Sequence, residues 1–178
     1  VQQQLEQLAA QARQGEKEAF GTLIRTHEAS LYRVAKSIVH SDEDCADAIQ
    51  EAVLKAYRSI HSLREPKYFK TWLIRILVNE CRALLRKKKK TVPFVELQHA
   101  RTETDDYVHI ETLEIVNALD EDLRIVVTLF YLEDLPLKEV ADLLDQPVGT
   151  IKSRLYRARN KLADMFNIHN GSGKELMI

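Results

Sequence analysis

The chain has 178 residues and a formal net charge of −1, a length that suits one ordinary domain or two small ones. Aromatic residues, glycine and proline are sparse, while Leu, Ala, Glu, Lys and Arg are common, a composition that favours an all-α protein. No stretch is long and apolar enough to cross a membrane as a helix, and membrane insertion is excluded on that ground.

The first segment, VQQQLEQLAAQARQ, is polar and reads as a helix rather than as a signal peptide, so a cytoplasmic location is expected. Glu16–Val39 follows as a helix, with Ala19, Phe20, Leu23, Ile24, Leu31, Val34, Ala35 and Ile38 facing inward. Ser41 with an acid three residues later, Asp44, has the form of a capping box. It opens a helix to about Ile60 with Cys45, Ile49, Ala52, Val53, Ala56 and Ile60 on one face. A connector, His61–Lys67, carries Pro66 and leads to a helix from Tyr68 to about Lys90, with Phe69, Trp72, Leu73, Ile76 and Leu84 as its inner stripe. Cys45 and Cys81 fall on apolar faces of different helices and are expected to be buried thiols.

Periodicity fails after Pro93, and the stretch from Val95 to Tyr107 reads as an acidic linker. A second helical unit starts near Val108, its core drawn from Ile115, Leu119, Leu123, Val126, Val127, Phe130 and Tyr131. The expected organisation is thus two small helical domains, 1–93 and 108–168, joined by a flexible linker at 94–107 and followed by a tail at 169–178.

The second unit ends in the most informative stretch of the chain, LKEVADLLDQPVGTIKSRLYRARNKL from Leu137 to Leu162. Leu137, Val140, Ala141 and Leu144 share one helical face. Pro147 disfavours helix at Gln146, so a turn falls at Asp145–Gln146, and Asp is one of the few side chains that tolerates a left-handed turn. A second helix restarts near Val148–Thr150, burying Ile151, Leu155, Ala158 and Leu162 and turning Lys152, Ser153, Tyr156, Arg157 and Asn160 outward. From Gly149 to Lys161 there are Lys152, Arg154, Arg157, Arg159 and Lys161 and no acid. A merely solvated helix usually mixes signs to gain pairs one turn apart. The pattern is a helix-turn-helix whose second helix meets DNA in the major groove.

The overall charge hides a marked segregation. Lys67–Lys90 is basic, with Glu80 as its only acid; Glu96–Asp122 is acidic, with Arg101 as its only base. Those acids are expected to screen the basic faces in the free protein. Arg75, Asn79, Arg82 and Arg86 align on one side of the Tyr68–Lys90 helix. Beside them, the loop before the helix offers His61, Leu63, Arg64, Lys67 and Tyr68. Cations that follow phosphates, next to side chains that enclose unstacked bases, suit a single strand. The outer face of the Ser41–Ile60 helix carries Asp47, Gln50, Glu51, Leu54 and Arg58, an exposed Leu among polar residues. From those residues alone, an ordinary solvated face and a protein-docking patch stay equally open.

Three segments in order, DAIQEAVLKAYRSI, FKTWLIRILVNECRALLRKKKK and LDEDLRIVVTLFYLEDLPLKEVADLLDQPVGTIKSRLYRARNKL, resemble the conserved regions of bacterial sigma factors. The resemblance is to the extracytoplasmic-function group of the sigma-70 family, which keeps only the second and fourth sigma domains. It implies a transcription initiation factor that binds core RNA polymerase, selects promoters and helps melt the DNA. It further implies that Asp47, Gln50, Glu51, Leu54 and Arg58 dock on the beta-prime coiled coil, and that Leu123–Tyr131 lies near the beta flap. His61, Leu63, Arg64, Lys67, Tyr68, Arg75, Asn79 and Arg82 would hold the minus-ten element, and Lys152, Ser153, Arg154, Tyr156 and Arg157 would read the minus-thirty-five element. An anti-sigma factor is a further implied partner. Family members often have Pro where Asp120 stands and a Gly–hydrophobic pair where Asp145–Gln146 stands.

Two other readings compete. One is a helix-turn-helix regulator whose N-terminal bundle serves dimerisation or sensing. The other is an enzyme with a DNA-binding tail, for which Asp42–Asp44 and Asp105–Asp106 would be metal ligands; helix capping and a linker explain those acids better. The histidines never stand at metal spacing, and no catalytic residue, metal or cofactor is expected.

Overall fold

The structure, a computed structural model, describes the backbone of residues 2–91 and 115–171 and the side chains of residues 2–89 and 115–165. The chain divides into two compact units, 1–100 and 101–178. The expected linker and the start of the second unit at Val108 lie outside the described residues.

The first unit is built from α1 (Gln2–Arg13), α2 (Lys17–Ile38), α3 (Asp42–Ser59) and α4 (Phe69–Thr91). Helix α1 ends on Gly15, whose φ of 102° lies in the left-handed region that a side chain resists. The Glu16 amide then donates back to Gln11 O at 3.2 Å, a Schellman-type closure. Helix α3 opens as its sequence predicts. Ser41 Oγ accepts from the Asp44 amide at 3.1 Å, and Asp42, Glu43 and Asp44 occupy the first turn, where the helix dipole favours acids. Asp42 also takes a hydrogen bond from Tyr32 Oη (2.9 Å) and pairs with Lys36 (2.6 Å), tying α2 to the start of α3, while Asp44 pairs with Lys88 of α4 (2.6 Å).

Close packing of α3 on α4 rests on a row of small side chains. Ala48, Ala52 and Ala56, four residues apart, are buried together with Cys45. Ile49 and Val53, expected in that stripe, are only half-buried. The α4 stripe also differs from expectation. Phe69, Leu73, Ile74, Leu77, Val78 and Cys81 are buried, whereas Trp72, Ile76 and Leu84 are half-exposed. The reason is that α4 packs against both α2 and α3, so two adjacent faces are covered rather than one. Burial drives the Cys45 thiol up to about 11 and the Cys81 thiol up to about 12.

The second unit holds a short helical segment at 115–117, then α5 (Glu121–Val127), a single π turn (Thr128–Leu132), α6 (Leu137–Leu144) and α7 (Val148–Gly171). Its core comprises Val116, Leu119, Leu123, Ile125, Val126, Val127, Leu129, Leu135, Val140, Ala141, Leu143, Leu144, Ile151, Leu155 and Ala158. Three expected members stand elsewhere, Ile115 among them, which is only half-buried. Tyr131 is exposed and Phe130 half-buried, because the π turn widens the helix by one residue and puts Leu129 inward instead. Arg124 is buried, and its Nη1 donates to Asn117 O at 3.0 Å. Helix α7 continues to Gly171, three residues past Ile168, where the tail was expected to begin.

Candidate nucleic-acid interface

In the second unit the turn is set by Asp145, whose φ of 54° and ψ of 45° are left-handed. That conformation lets the Gln146 amide donate back to Ala141 O at 3.0 Å and closes α6. Pro147 then starts α7, its carbonyl accepting from the Thr150 (2.9 Å) and Ile151 (3.2 Å) amides. With Ile151, Leu155 and Ala158 buried, helical spacing turns Lys152, Ser153, Tyr156, Arg157 and Asn160 outward, and all five are exposed, Tyr156 at 60%. The Ser153 hydroxyl donates to Gly149 O at 3.0 Å and keeps its lone pairs outward.

Arg154 has a different position from the one its sequence suggests. Its side chain is only 17% exposed, and Nη2 donates to Asp122 Oδ2 at 2.9 Å. Two turns further on, Lys161 bonds to Asp120. The hydrogen bond from Lys161, then its charge, hold the Asp120 carboxyl below the usual carboxylate range. Thus the acids ahead of and within α5 take up two cations of α7, whereas Lys152, Ser153, Tyr156, Arg157 and Asn160 stay exposed on its outward side. The remaining acids of the expected screen, up to Glu114, lie outside the described residues.

In the first unit the connector between α3 and α4 is ordered into two 3₁₀ turns, Ile60–Ser62 and Pro66–Tyr68. Ile60 and Leu63 point into the core. Leu63, at 4% exposed, therefore anchors the loop and does not present itself to a ligand, a correction to its expected role. His61, Arg64, Lys67 and Tyr68 remain at the surface, and the Lys67 ammonium lies 4.9 Å from the Tyr68 ring centroid. Arg75 and Asn79 are exposed on α4, with Arg82 half-buried. The exposed Arg13 of α1 reaches this loop; its Nη1 donates to Leu63 O (3.3 Å) and Arg64 O (2.9 Å).

On α3, Asp47, Gln50, Glu51, Leu54 and Arg58 are all exposed, Leu54 at 43%. The sequence reading missed Tyr57 beside them, which is 44% exposed and rests edge-on against Phe20 with ring centroids 5.2 Å apart. Its spacing of three from Leu54 was the available signal.

The Sigma-70 region 2 family matches residues 23–91, and the Sigma-70, region 4 family matches residues 109–162. The RNA polymerase sigma-H factor of Pseudomonas aeruginosa is 30% identical, over 91% of this chain and 93% of that protein. The ECF RNA polymerase sigma-E factor of Haemophilus influenzae is 32% identical, over 87% and 91%. The chain belongs to the sigma-70 family, in its extracytoplasmic-function group. It is a transcription initiation factor. That removes the reading as a separate helix-turn-helix regulator. A solved structure, CnrH in complex with the cytosolic domain of CnrY, matches this sigma factor with a TM-score of 0.67 and 25% identity, over 93% of this chain and 98% of CnrH. No helix among the described residues is long and apolar enough to cross a membrane.

Both departures from the family have local structural accounts. Asp120, at the position where Pro is common, still starts α5: its carbonyl accepts from the Leu123 (2.9 Å) and Arg124 (2.8 Å) amides, while its carboxylate serves Lys161. Asp145 takes up the left-handed conformation in place of glycine.

Proposed function

We propose that this sigma factor divides promoter recognition between its two units. Lys152, Ser153, Tyr156 and Arg157 read the minus-thirty-five element as duplex, with Asn160 at the edge of the same face. Base edges in the major groove give specificity there, and phosphates give position. Arg154 acts instead from within the unit, holding α7 to Asp122. His61, Arg64, Lys67 and Tyr68, with Arg75, Asn79 and Arg82 alongside, hold bases of the minus-ten element once they leave the stack. Trapping an unstacked base stabilises the open promoter by about a few kcal/mol, the scale of the unstacking cost.

Asp47, Gln50, Glu51, Leu54 and Arg58, joined by Tyr57, dock on the beta-prime coiled coil of core RNA polymerase. An apolar centre with a polar rim is the anatomy of such a contact. The segment Leu123–Tyr131 lies near the beta flap, with the exposed Tyr131 as its contact. Bond making and breaking belong to the polymerase; this chain does no covalent chemistry and acts in the cytoplasm. An anti-sigma factor regulates it. CnrH, which shares this fold, is seen with the cytosolic domain of another protein.

The observation that carries the proposal is the segregation of exposed cations onto two separately built surfaces in a chain of net charge −1. One surface sits on a rigid helix beside a fixed turn, and the other on an anchored loop. Runoff transcription with core polymerase across a library randomised at both promoter elements tests it. Start sites chosen through both elements are the expected result. Selection that survives alanine at Lys152, Tyr156 and Arg157 together would overturn the assignment of the duplex-reading face.

A further inference from the structure

We infer that Arg13, on the N-terminal helix, is a positioning residue for minus-ten recognition; the inference rests on the proposed role of the 60–68 loop in that recognition. The loop is anchored from below by the side chains of Ile60 and Leu63. That leaves the backbone between the two 3₁₀ turns outside regular helix, where a carbonyl takes either water or a side chain as its partner, and only a side chain fixes its direction. Arg13 supplies one. Its Nη1 donates to both Leu63 O (3.3 Å) and Arg64 O (2.9 Å), at the point where the chain leaves its anchor and heads for Lys67 and Tyr68. Hydrogen bonds from an ionised donor are roughly twice as strong as neutral ones.

The donor is itself well placed. Ala9 and Ala12 are buried, which lets α1 lie close to its neighbours, and α1 packs on both 3₁₀ turns. Gly15 in its left-handed conformation stops the helix two residues after Arg13 and turns the chain into α2. The region 2 match begins at residue 23, so α1 lies outside the segment by which the family is recognised. Pockets that enclose a base need their walls held to within about half an ångström. Two carbonyl contacts at the exit of Leu63 fix the direction of the four surface residues that follow.

The test uses the full chain with core RNA polymerase and a promoter library randomised across the minus-ten element, read by sequencing of the transcripts. Arg13→Ala is expected to relax base preference within the minus-ten element by about threefold to tenfold. Preference at the minus-thirty-five element, affinity for core polymerase and the salt dependence of promoter binding stay unchanged. In the free protein, amide exchange at Tyr68, which donates to Glu65 O at 3.0 Å, is expected to quicken in Arg13→Ala, with the α2, α3 and α4 amides unaltered. Gly15→Ala, which strains the end of α1 without removing a charge, is expected to relax the same preferences.

Lys67→Ala and Tyr68→Ala test the loop itself. If they leave minus-ten preference intact, the loop reading is overturned, and the positioning role with it. If they flatten that preference while Arg13→Ala and Gly15→Ala leave both preference and Tyr68 exchange as they were, the positioning role alone falls. A uniform loss across all library members, with the salt slope reduced by about one, makes Arg13 a phosphate contact and also overturns it.

Discussion

The left-handed Asp145 sets the angle between α6 and α7, and its replacement has a calculable sign. For a residue with a Cβ, the left-handed conformation costs about 1–2 kcal/mol, and Asp carries part of that cost at φ 54°. Asp145→Gly removes the clash but gives the unfolded chain about 0.4–1 kcal/mol more conformational freedom. The net expectation is a gain of about 0–1 kcal/mol. For a unit of this size, that raises its melting temperature by up to about 8 °C. Asp145→Val moves the other way, since a β-branched side chain is a true outlier there, and the loss is about 1–2 kcal/mol. Calorimetry of the full chain reads both. Amide exchange at Gln146, which donates to Ala141 O at 3.0 Å, localises the effect to the turn. Duplex affinity of the minus-thirty-five element is expected to survive Asp145→Gly and to fall in Asp145→Val, because this turn aims the side chains proposed to read that element. A glycine variant that melts lower, or a valine variant that melts unchanged, would refute the left-handed assignment.

Other expectations concern the individual surfaces. Arg157→Ala should cost about 1–3 kcal/mol and relax specificity at one position of the minus-thirty-five element, whereas Lys152→Ala, if Lys152 lies on a phosphate, should weaken all sequences alike and lower the salt slope by about one; binding isotherms at several salt concentrations separate them. Leu54→Glu should weaken core polymerase binding by at least about tenfold, about 1.4 kcal/mol, with the melting temperature unchanged because the side chain is largely exposed; pull-down with core polymerase checks it. Cys45 and Cys81 have thiols raised from 9.0 to about 11 and about 12 by burial, so the folded state prefers them protonated. The sign follows: their contribution to stability is complete below pH 9 and is lost as pH rises through about 11 and 12, and a melting curve measured between pH 8 and 11 should fall at the alkaline end. Thiol reagents at pH 8 should label neither residue until denaturant is added.

Much of the architecture was legible in local pattern. The cap at Ser41, the turn at Asp145–Gln146 and the split of α7 into buried and outward faces each follow from residue types at fixed spacing, and each is present, except that Leu162 at the far end of the expected buried stripe is only half-buried. The errors have physical causes. A single helix period assigns one inner face, but α4 is covered on two sides, so Ile74, Leu77 and Val78 joined its core while Trp72, Ile76 and Leu84 slipped to its edge. Leu63 failed for a related reason: a Leu in a polar connector looks available, yet only the tertiary fold decides whether it faces a ligand or anchors the loop. Tyr131 was misplaced by one residue because a π turn leaves no periodic signal.

Charge shows most clearly where sequence reasoning must end. Every cation from Gly149 to Lys161 looks equivalent in one dimension, since no acid interrupts them. In the folded unit they are not equivalent, because Asp120 and Asp122, some thirty to forty positions earlier, reach Lys161 and Arg154. Exposed pairs of this kind contribute little to stability, about 0–1 kcal/mol, so their weight is directional rather than energetic. They occupy the side of α7 that turns toward α5; Arg157 lies next to them and acts on Asp120 through its charge, while Lys152 stands with Tyr156 on the outward side. A helix that was uniformly basic in sequence thereby carries cations of unequal availability, and in the proposed duplex-reading role a phosphate backbone is drawn to the exposed side with Lys152, Ser153 and Tyr156.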